Sequence, residues 1–242
     1  MFAIFKKDII NYFTTATGYL FLAVSLSVSG LFFSLNTVMA STSNTGSYFN
    51  IIIFMMMIFL PILTMRSFSD ERRTKTDQLL FTAPVPTISI VLGKFFSAFC
   101  MFLIYLALSS LNFISLFVFK ADGASDPNIS LIIGNLIALI LLGMAFISIG
   151  IFISSLTENM FASALITIAV LFGFMLIDIL NVFFASTQFY IVRYILSWIS
   201  ISSRYTAFSN GVFDIGAFIY YISITGIFIF LTERAFKARK LA

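Results

Sequence analysis

The densest cluster of ionisable side chains in the sequence is Arg66, Asp70, Glu71, Arg72, Arg73, Lys75 and Asp77, all within a dozen residues. Apolar Phe68, Leu79, Leu80 and Phe81 are interleaved with it. Carboxylates and cations mixed in this way suit docking rather than bond-breaking chemistry. A helix here would show charge to a partner in solution and apolar side chains to the membrane side, with Pro84 and Pro86 ending it. The alternative is a solvated basic loop with no partner. The rest of the chain has little catalytic equipment. There is no histidine, which excludes a His-bearing triad and a His metal site. The one cysteine, Cys100, lies in an apolar run and reads as a small buried hydrophobe; no internal disulfide is possible. Gly93-Lys94 is not a phosphate loop, because Ile88 stands where the first glycine belongs and Phe95 where Ser or Thr would hold magnesium.

The elements that must position these residues are set by composition. Of 242 residues, 60% are hydrophobic and 10% charged, against about a quarter charged in soluble domains. An ordinary soluble enzyme is excluded. A bilayer core needs about 20 apolar residues in a helix. Six blocks qualify, at about 18–35, 48–65, 94–119, 130–156, 160–184 and 215–231. Runs such as Ile137–Leu142 are apolar on every face, unlike the alternating strands of a membrane barrel. The expected fold is therefore an all-α integral membrane protein, one domain over 1–242, with about six transmembrane helices. The run from 88 exceeds one span, so its first turns belong to the interface. Gly30-xxx-Ser34 and Gly150-xxx-Ser154 permit close helix approach, within the chain or at a dimer seam. Pro61 predicts a kink in span two. The 32 phenylalanines mostly face lipid or core, although an apolar path for a lipid-like cargo could use some of them.

Asp178 is the one acidic residue well inside a predicted span. A carboxylate at mid-bilayer costs about 2.5 kcal/mol or more and seeks a bundle interior or wet cavity. It is either a pathway or helix-interface group, or a residue near the outer end satisfied by Asn181 and water.

Charge orients the bundle. With six spans, Lys6, Lys7, Arg66, Arg72, Arg73, Lys75, Lys94, Arg234, Lys237, Arg239 and Lys240 share one side, and only Lys120, Arg193 and Arg204 fall on the other. The positive-inside rule places the first side, with both termini, in the cytoplasm. The net charge of +4 thus needs no nucleic-acid partner. Residues 1–16 read as an interfacial helix, with Phe2, Phe5, Ile9 and Phe13 on one face and Lys6, Lys7, Asp8, Asn11 and Thr14 largely on the other; the alternative is an upstream extension of span one. A cleaved signal peptide is disfavoured, because the apolar run is longer than a signal core. Residues 40–47 and 120–128 read as outer loops, 157–159 as a tight turn, and 186–214 as one or two outer re-entrant or interfacial helices bearing Tyr190, Tyr194, Trp198 and Tyr205.

The run Glu71-Arg72-Arg73-Thr74-Lys75-Thr76, then Leu79-Leu80, Thr82-Ala83-Pro84 and Gly93-Lys94, resembles the signature of ABC-2 type transporter permeases. Lys75 departs from the pattern, standing where that family usually has glycine. The turn 154–159 is similar to the family's link between spans four and five. The closing stretches 199–205, 208–214 and 230–234 are similar to the gliding-motility-type branch. The resemblance covers nearly the whole chain. It implies a permease dimer seated on two cytosolic ABC ATPase subunits, with ATP and Mg bound in that partner and no cofactor here, in a bacterial plasma (inner) membrane. It also implies a coupling segment at 66–86, whose helix over about 67–80 docks on the ATPase. The expected contacts are Asp70, Glu71, Arg72, Arg73, Thr76, Leu79 and Leu80, with Glu158 on the same side. Export is the family's usual direction, and the gliding-type likeness makes an extracytoplasmic auxiliary subunit plausible. A self-sufficient secondary transporter or channel, or a membrane scaffold for motility or envelope assembly, are the alternatives.

Overall fold

A computed structural model describes residues 1–38, 45–76, 85–118, 128–183, 200, 202–209, 211 and 214–241. Among these the secondary structure is helical throughout, with no strand. Ten helices follow in order: α1 (Phe2–Thr14), α2 (Ala16–Phe33), α3 (Gly46–Thr64), α4 (Arg66–Arg73), α5 (Thr87–Ser110), α6 (Asn112–Val118), α7 (Ile129–Leu156), α8 (Met160–Phe183), α9 (Ser202–Ser209) and α10 (Ile215–Leu241). A five-residue π-helical turn, Ser34–Val38, closes α2.

Among the described residues, six stretches are long and apolar enough to cross a membrane: Ala16–Asn36, Gly46–Arg73, Thr87–Ser115, Ile129–Leu156, Met160–Ile177 and Ile215–Arg239. They match the six predicted blocks with shifted ends. The third begins at Thr87, so Lys94 lies two turns inside a helix, and the predicted 94–119 block breaks at Leu111 into α5 and α6. The last helix runs on through Glu233, Arg234 and Lys237, which makes the basic tail helical to Leu241. Six crossings return α1, α4 and the end of α10 to one end of the bundle, the charged end.

Span four (α7) is the axis of the bundle. It packs on α3, α5, α8, α9 and α10 and touches α4. Its Ala138, Ala145, Ile147 and Ile149 are fully enclosed. Small residues allow this. A Cβ on Gly150 would come within 2.2 Å of Thr64 Oγ1, so spans two and four approach here through the absence of a side chain. The Gly150-xxx-Ser154 pair is therefore a contact within the chain. Gly30 meets nothing within 4 Å. The helix α3 continues through buried Pro61 to Thr64.

At the opposite end, Ser29, Tyr48 and Ser109 bring their hydroxyls together at 2.6–3.0 Å, joining spans one, two and three. A hydroxyl buried in an apolar bundle is costly unless bonded, and each here has two partners. The short helix α9 falls within the predicted outer segment. Its Tyr205 donates a hydrogen bond to Asn135 of span four, and its buried Phe208 lies over Gly134. The helix expected around Phe189–Ile199, with Trp198, lies outside the described residues. The helix α1 bends into α2 at Thr15, whose extended backbone breaks the helical run and whose hydroxyl bonds the Asn11 carbonyl at 2.7 Å.

Candidate functional site

The charged cluster folds as α4, separated from α3 by Met65 alone. Its amphipathic sequence buries Phe68 and Ser69 and leaves Arg73 to Thr76 exposed. The helix stops after one and a half turns beyond Phe68, well short of Pro84. Thr76 N–H donates to the Glu71 carbonyl at 2.9 Å and Lys75 N–H to the Arg72 carbonyl at 3.1 Å. These are the two bonds of a Schellman cap. Lys75 occupies its left-handed position at φ 55. The turn is thus made with a lysine in a position that suits glycine, and the lysine bears the backbone strain.

Span four holds one flank of α4. Ser154 Oγ accepts from the N–H groups of Phe68 and Ser69 at 3.1 and 3.2 Å and donates to the Met65 carbonyl at 3.1 Å. Ser69 Oγ lies 3.1 Å from the Ser154 carbonyl and 3.2 Å from Thr157 Oγ1. Further along, Arg72 Nη2 meets Glu158 Oε1 at 2.6 Å, with the Glu158 side chain 74% exposed.

The other flank rests on Lys94. Its ammonium, only 3% exposed, lies 2.6 Å from the Ser67 carbonyl, 2.8 Å from Glu71 Oε2 and 3.7 Å from Asp8 Oδ2. The Phe68 ring centroid is 4.9 Å away. Glu71 also takes Lys7 of α1 on Oε1 at 3.1 Å. A buried ammonium without partners would be prohibitive, and here three oxygens from two helices, α4 and α1, surround it. Asp8 is less well served. Burial pushes its carboxyl above the ordinary value of 3.8 more than Lys94 pulls it down, and Glu71 pushes in the same direction as burial. A polar cavity of about 60 Å³ lies beside the group, lined among others by Asn11, Tyr12, Thr17, Arg66 and Asp70. Burial raises the Tyr12 phenol to about 12, and its hydroxyl donates to the Leu63 carbonyl at 3.2 Å.

The predicted site residues therefore separate. Asp70 pairs with Arg66 at 3.0 Å and Arg73 at 3.5 Å along α4. Glu71 and Arg72 point back into the protein. Arg73, Thr76 and Glu158 are exposed. Leu79 and Leu80 lie outside the described residues, as does the side chain of Asp178 in α8. Sequence reasoning missed Asp8, Ser69, Ser154 and the role of Lys94. A lysine inside an apolar span needs a partner; applied to Lys94, that rule would have pointed to the carboxylates of the charged cluster. Span six joins the same end. Thr87 Oγ1 donates to Glu233 at 3.1 Å, and Phe236 packs 5.6 Å from Phe68.

Among the described residues no group of His, Cys, Asp and Glu side chains could hold a metal ion. The arrangement offers a small helix, clamped on both flanks beneath a membrane bundle, whose exposed tip can receive a partner. No curated protein matches the chain. A family model described as ABC-2 family transporter protein matches residues 28–236, which takes in four of the six spans entirely, most of the last, the end of the first and the whole of α4. With its six apolar helices, the chain is a multi-pass membrane protein and belongs to the ABC-2 transporter family, the membrane subunits that work with an ABC ATPase.

Proposed function

We propose that this chain is the permease subunit of an ATP-driven exporter, with α4 as the coupling helix that receives the motion of a separate cytosolic ATPase. The observation that carries the reading is the exposed turn Arg73–Thr76, held at the tip of a helix continuous with span two and braced by spans three and four. In this reading the charged end faces the cytoplasm, as the basic side chains on it favour. ATP and Mg are bound and hydrolysed in the partner. Two permease copies form the path, and the likeness to the gliding-motility-type branch favours an extracytoplasmic auxiliary subunit.

The predicted contacts then divide by role. Arg73 and Thr76 on the tip, with Glu158 beside it, meet the ATPase directly, and Leu79 and Leu80 follow them in sequence. Asp70, Glu71 and Arg72 act one step back by fixing where the tip stands. Truncating a charged contact that becomes desolvated at an interface costs about 2–5 kcal/mol, and a rim contact far less. Asp178 remains the candidate for a pathway or helix-interface group.

The test is co-purification. The tagged chain, expressed with a cytosolic phosphate-loop ATPase of the ABC type from the same cell, is expected to retain that ATPase. Arg73→Glu combined with Glu158→Lys is expected to release it, and Glu71→Ala with Arg72→Ala to weaken it. Retention at parental level by both double variants, with ATP-stimulated activity intact, would overturn the assignment of α4. Ion-gradient-driven flux from this chain alone, abolished by Asp178→Asn, would replace it with secondary transport.

A further inference from the structure

We infer that Lys94 is a positioning residue that makes α1, α4 and the charged end of span three one mechanical body, so that a push on α4 moves the N-terminal helix with it. The inference rests on α4 being the coupling helix. Three elements meet on one ammonium. Ser67 and Glu71 belong to α4, Asp8 to α1, and the lysine itself to α5. The ammonium donates a hydrogen bond to the Ser67 carbonyl, and the two carboxylates lie within ion-pair distance of it, at 2.8 and 3.7 Å. Lys7 closes the circuit by reaching Glu71 from α1.

The neighbouring residue strengthens the case. A Cβ on Gly93 would sit 3.1 Å from the Ile4 side chain and 3.3 Å from the Met1 carbonyl. The backbone of span three is thus pressed against α1 one residue before the lysine that binds it. Gly93 admits α1, and Lys94 then fastens α1 and α4 together. Because Lys94 is 3% exposed, salt screens these contacts less than it would a surface pair. On the other flank, α4 is held by neutral hydroxyl contacts to Ser154 and a solvent-exposed ion pair to Glu158. Motion is therefore expected to separate α4 from spans four and five before it separates α4 from α1.

The experiment uses pulsed EPR distances in a Cys100→Ser background, with the chain in lipid nanodiscs. One label pair, Lys6→Cys with Thr74→Cys, spans α1 and α4, and avoids the predicted ATPase contacts. A second, Leu165→Cys with Thr74→Cys, spans span five and α4; all three positions are exposed. Lys94→Arg is the conservative variant. Lys94→Met alone strands two carboxylates and can fail to fold, so the informative variant neutralises the ammonium and both carboxylates together, as Lys94→Met, Glu71→Gln and Asp8→Asn. Joint removal of a buried charge group is commonly tolerated. In the chain alone, the first distance is expected to be narrow in the parent and in Lys94→Arg, and at least twice as broad in the neutral triple variant. An equally narrow distance in the triple variant overturns the joint. In the complex with the ATPase, a non-hydrolysable ATP analogue with Mg is expected to shift the second distance and leave the first in place. A shift in the first distance alone overturns the single-body inference. Absence of any nucleotide effect on either pair counts against α4 as the coupling helix, while the broadening in the chain alone still decides the joint.

Discussion

Ser154 of span four and Ser69 of α4 share hydrogen bonds in both directions: Ser69 N–H donates to the Ser154 hydroxyl, and the Ser69 hydroxyl lies 3.1 Å from the Ser154 carbonyl. Both residues are fully buried. The helix α4 has no side-chain cap of its own, since Met65 occupies that position. The first N–H groups of any helix need acceptors from outside it. Here Ser154, 85 residues beyond Ser69, is the acceptor for two of them, so helix capping and docking are the same contact.

Replacing Ser154 by alanine leaves the N–H groups of Phe68 and Ser69 buried without that acceptor. The expected loss is about 1–2 kcal/mol of stability, the range for a lost cap. Ser155→Ala is the control, because the Ser155 hydroxyl bonds only the Phe152 carbonyl of its own helix at 2.7 Å. Thermal unfolding in detergent should show a clearly lower Tm for Ser154→Ala and little change for Ser155→Ala. Equal effects from the two would remove the capping role.

The packing of spans two and four gives a prediction with a built-in rescue. Gly150→Ala places a methyl 2.2 Å from Thr64 Oγ1, far inside contact distance. Overpacking of this kind costs about 1–3 kcal/mol. Thr64→Ala removes the obstructing atoms, so the double variant should be more stable than Gly150→Ala alone. A double-mutant cycle on Tm or on denaturation midpoint measures the coupling. Additive effects would mean that the helices part elsewhere to admit the methyl.

Hydropathy made the six spans readable because a bilayer demands about 20 apolar residues per crossing wherever the helix packs. It was a poor guide to where they end. Span three starts before its apolar block, since Thr87 to Gly93 are helical although Thr87 and Lys94 lower the local hydropathy. Span six outlasts its block because Glu233 and Phe236 find partners in Thr87 and Phe68. The charged cluster was legible as a feature, yet its side chains sorted differently from their order in sequence. Adjacent Glu71, Arg72 and Arg73 point to span three, to the span four–five link and to solvent, because successive residues on a helix lie about 100° apart. Which of those three faces meets the protein depends on Lys94 and Glu158, residues distant in sequence. Local pattern carries no information on that choice.

Lys75 holds a left-handed backbone that glycine adopts without penalty. Lys75→Gly should therefore stabilise the isolated chain by about 1 kcal/mol, the cost of that conformation for a side chain with a Cβ. Lys75→Val should destabilise it, because branching at Cβ is worst in this region. Unfolding midpoints of the three proteins, measured without any partner, decide the point. A midpoint for Lys75→Gly at or below that of the parent would mean that the lysine side chain offsets its strain through contacts of its own.

Asp8 gives a pH dependence whose direction is the reverse of what a simple ion pair implies. Its folded carboxyl titrates above the ordinary value of 3.8, because burial outweighs the pull of Lys94, 3.7 Å away and already engaged by Glu71 at 2.8 Å. A raised folded value means that the folded state binds the proton more tightly than the unfolded one. Its contribution to stability is complete below the unfolded value and disappears as pH rises through the folded one. Mild acidification should thus add stability at this site rather than remove it. Asp8→Asn resembles the protonated form at every pH, so it should be more stable than the parent at pH 7, with the difference shrinking as pH falls into the range where Asp8 binds its proton. Paired thermal unfolding of parent and Asp8→Asn from pH 7 to pH 4 measures that difference directly. A parent that outlasts Asp8→Asn at pH 7 would mean that Lys94 more than offsets the burial of the carboxylate, and the order of the two effects at this site would have to be exchanged.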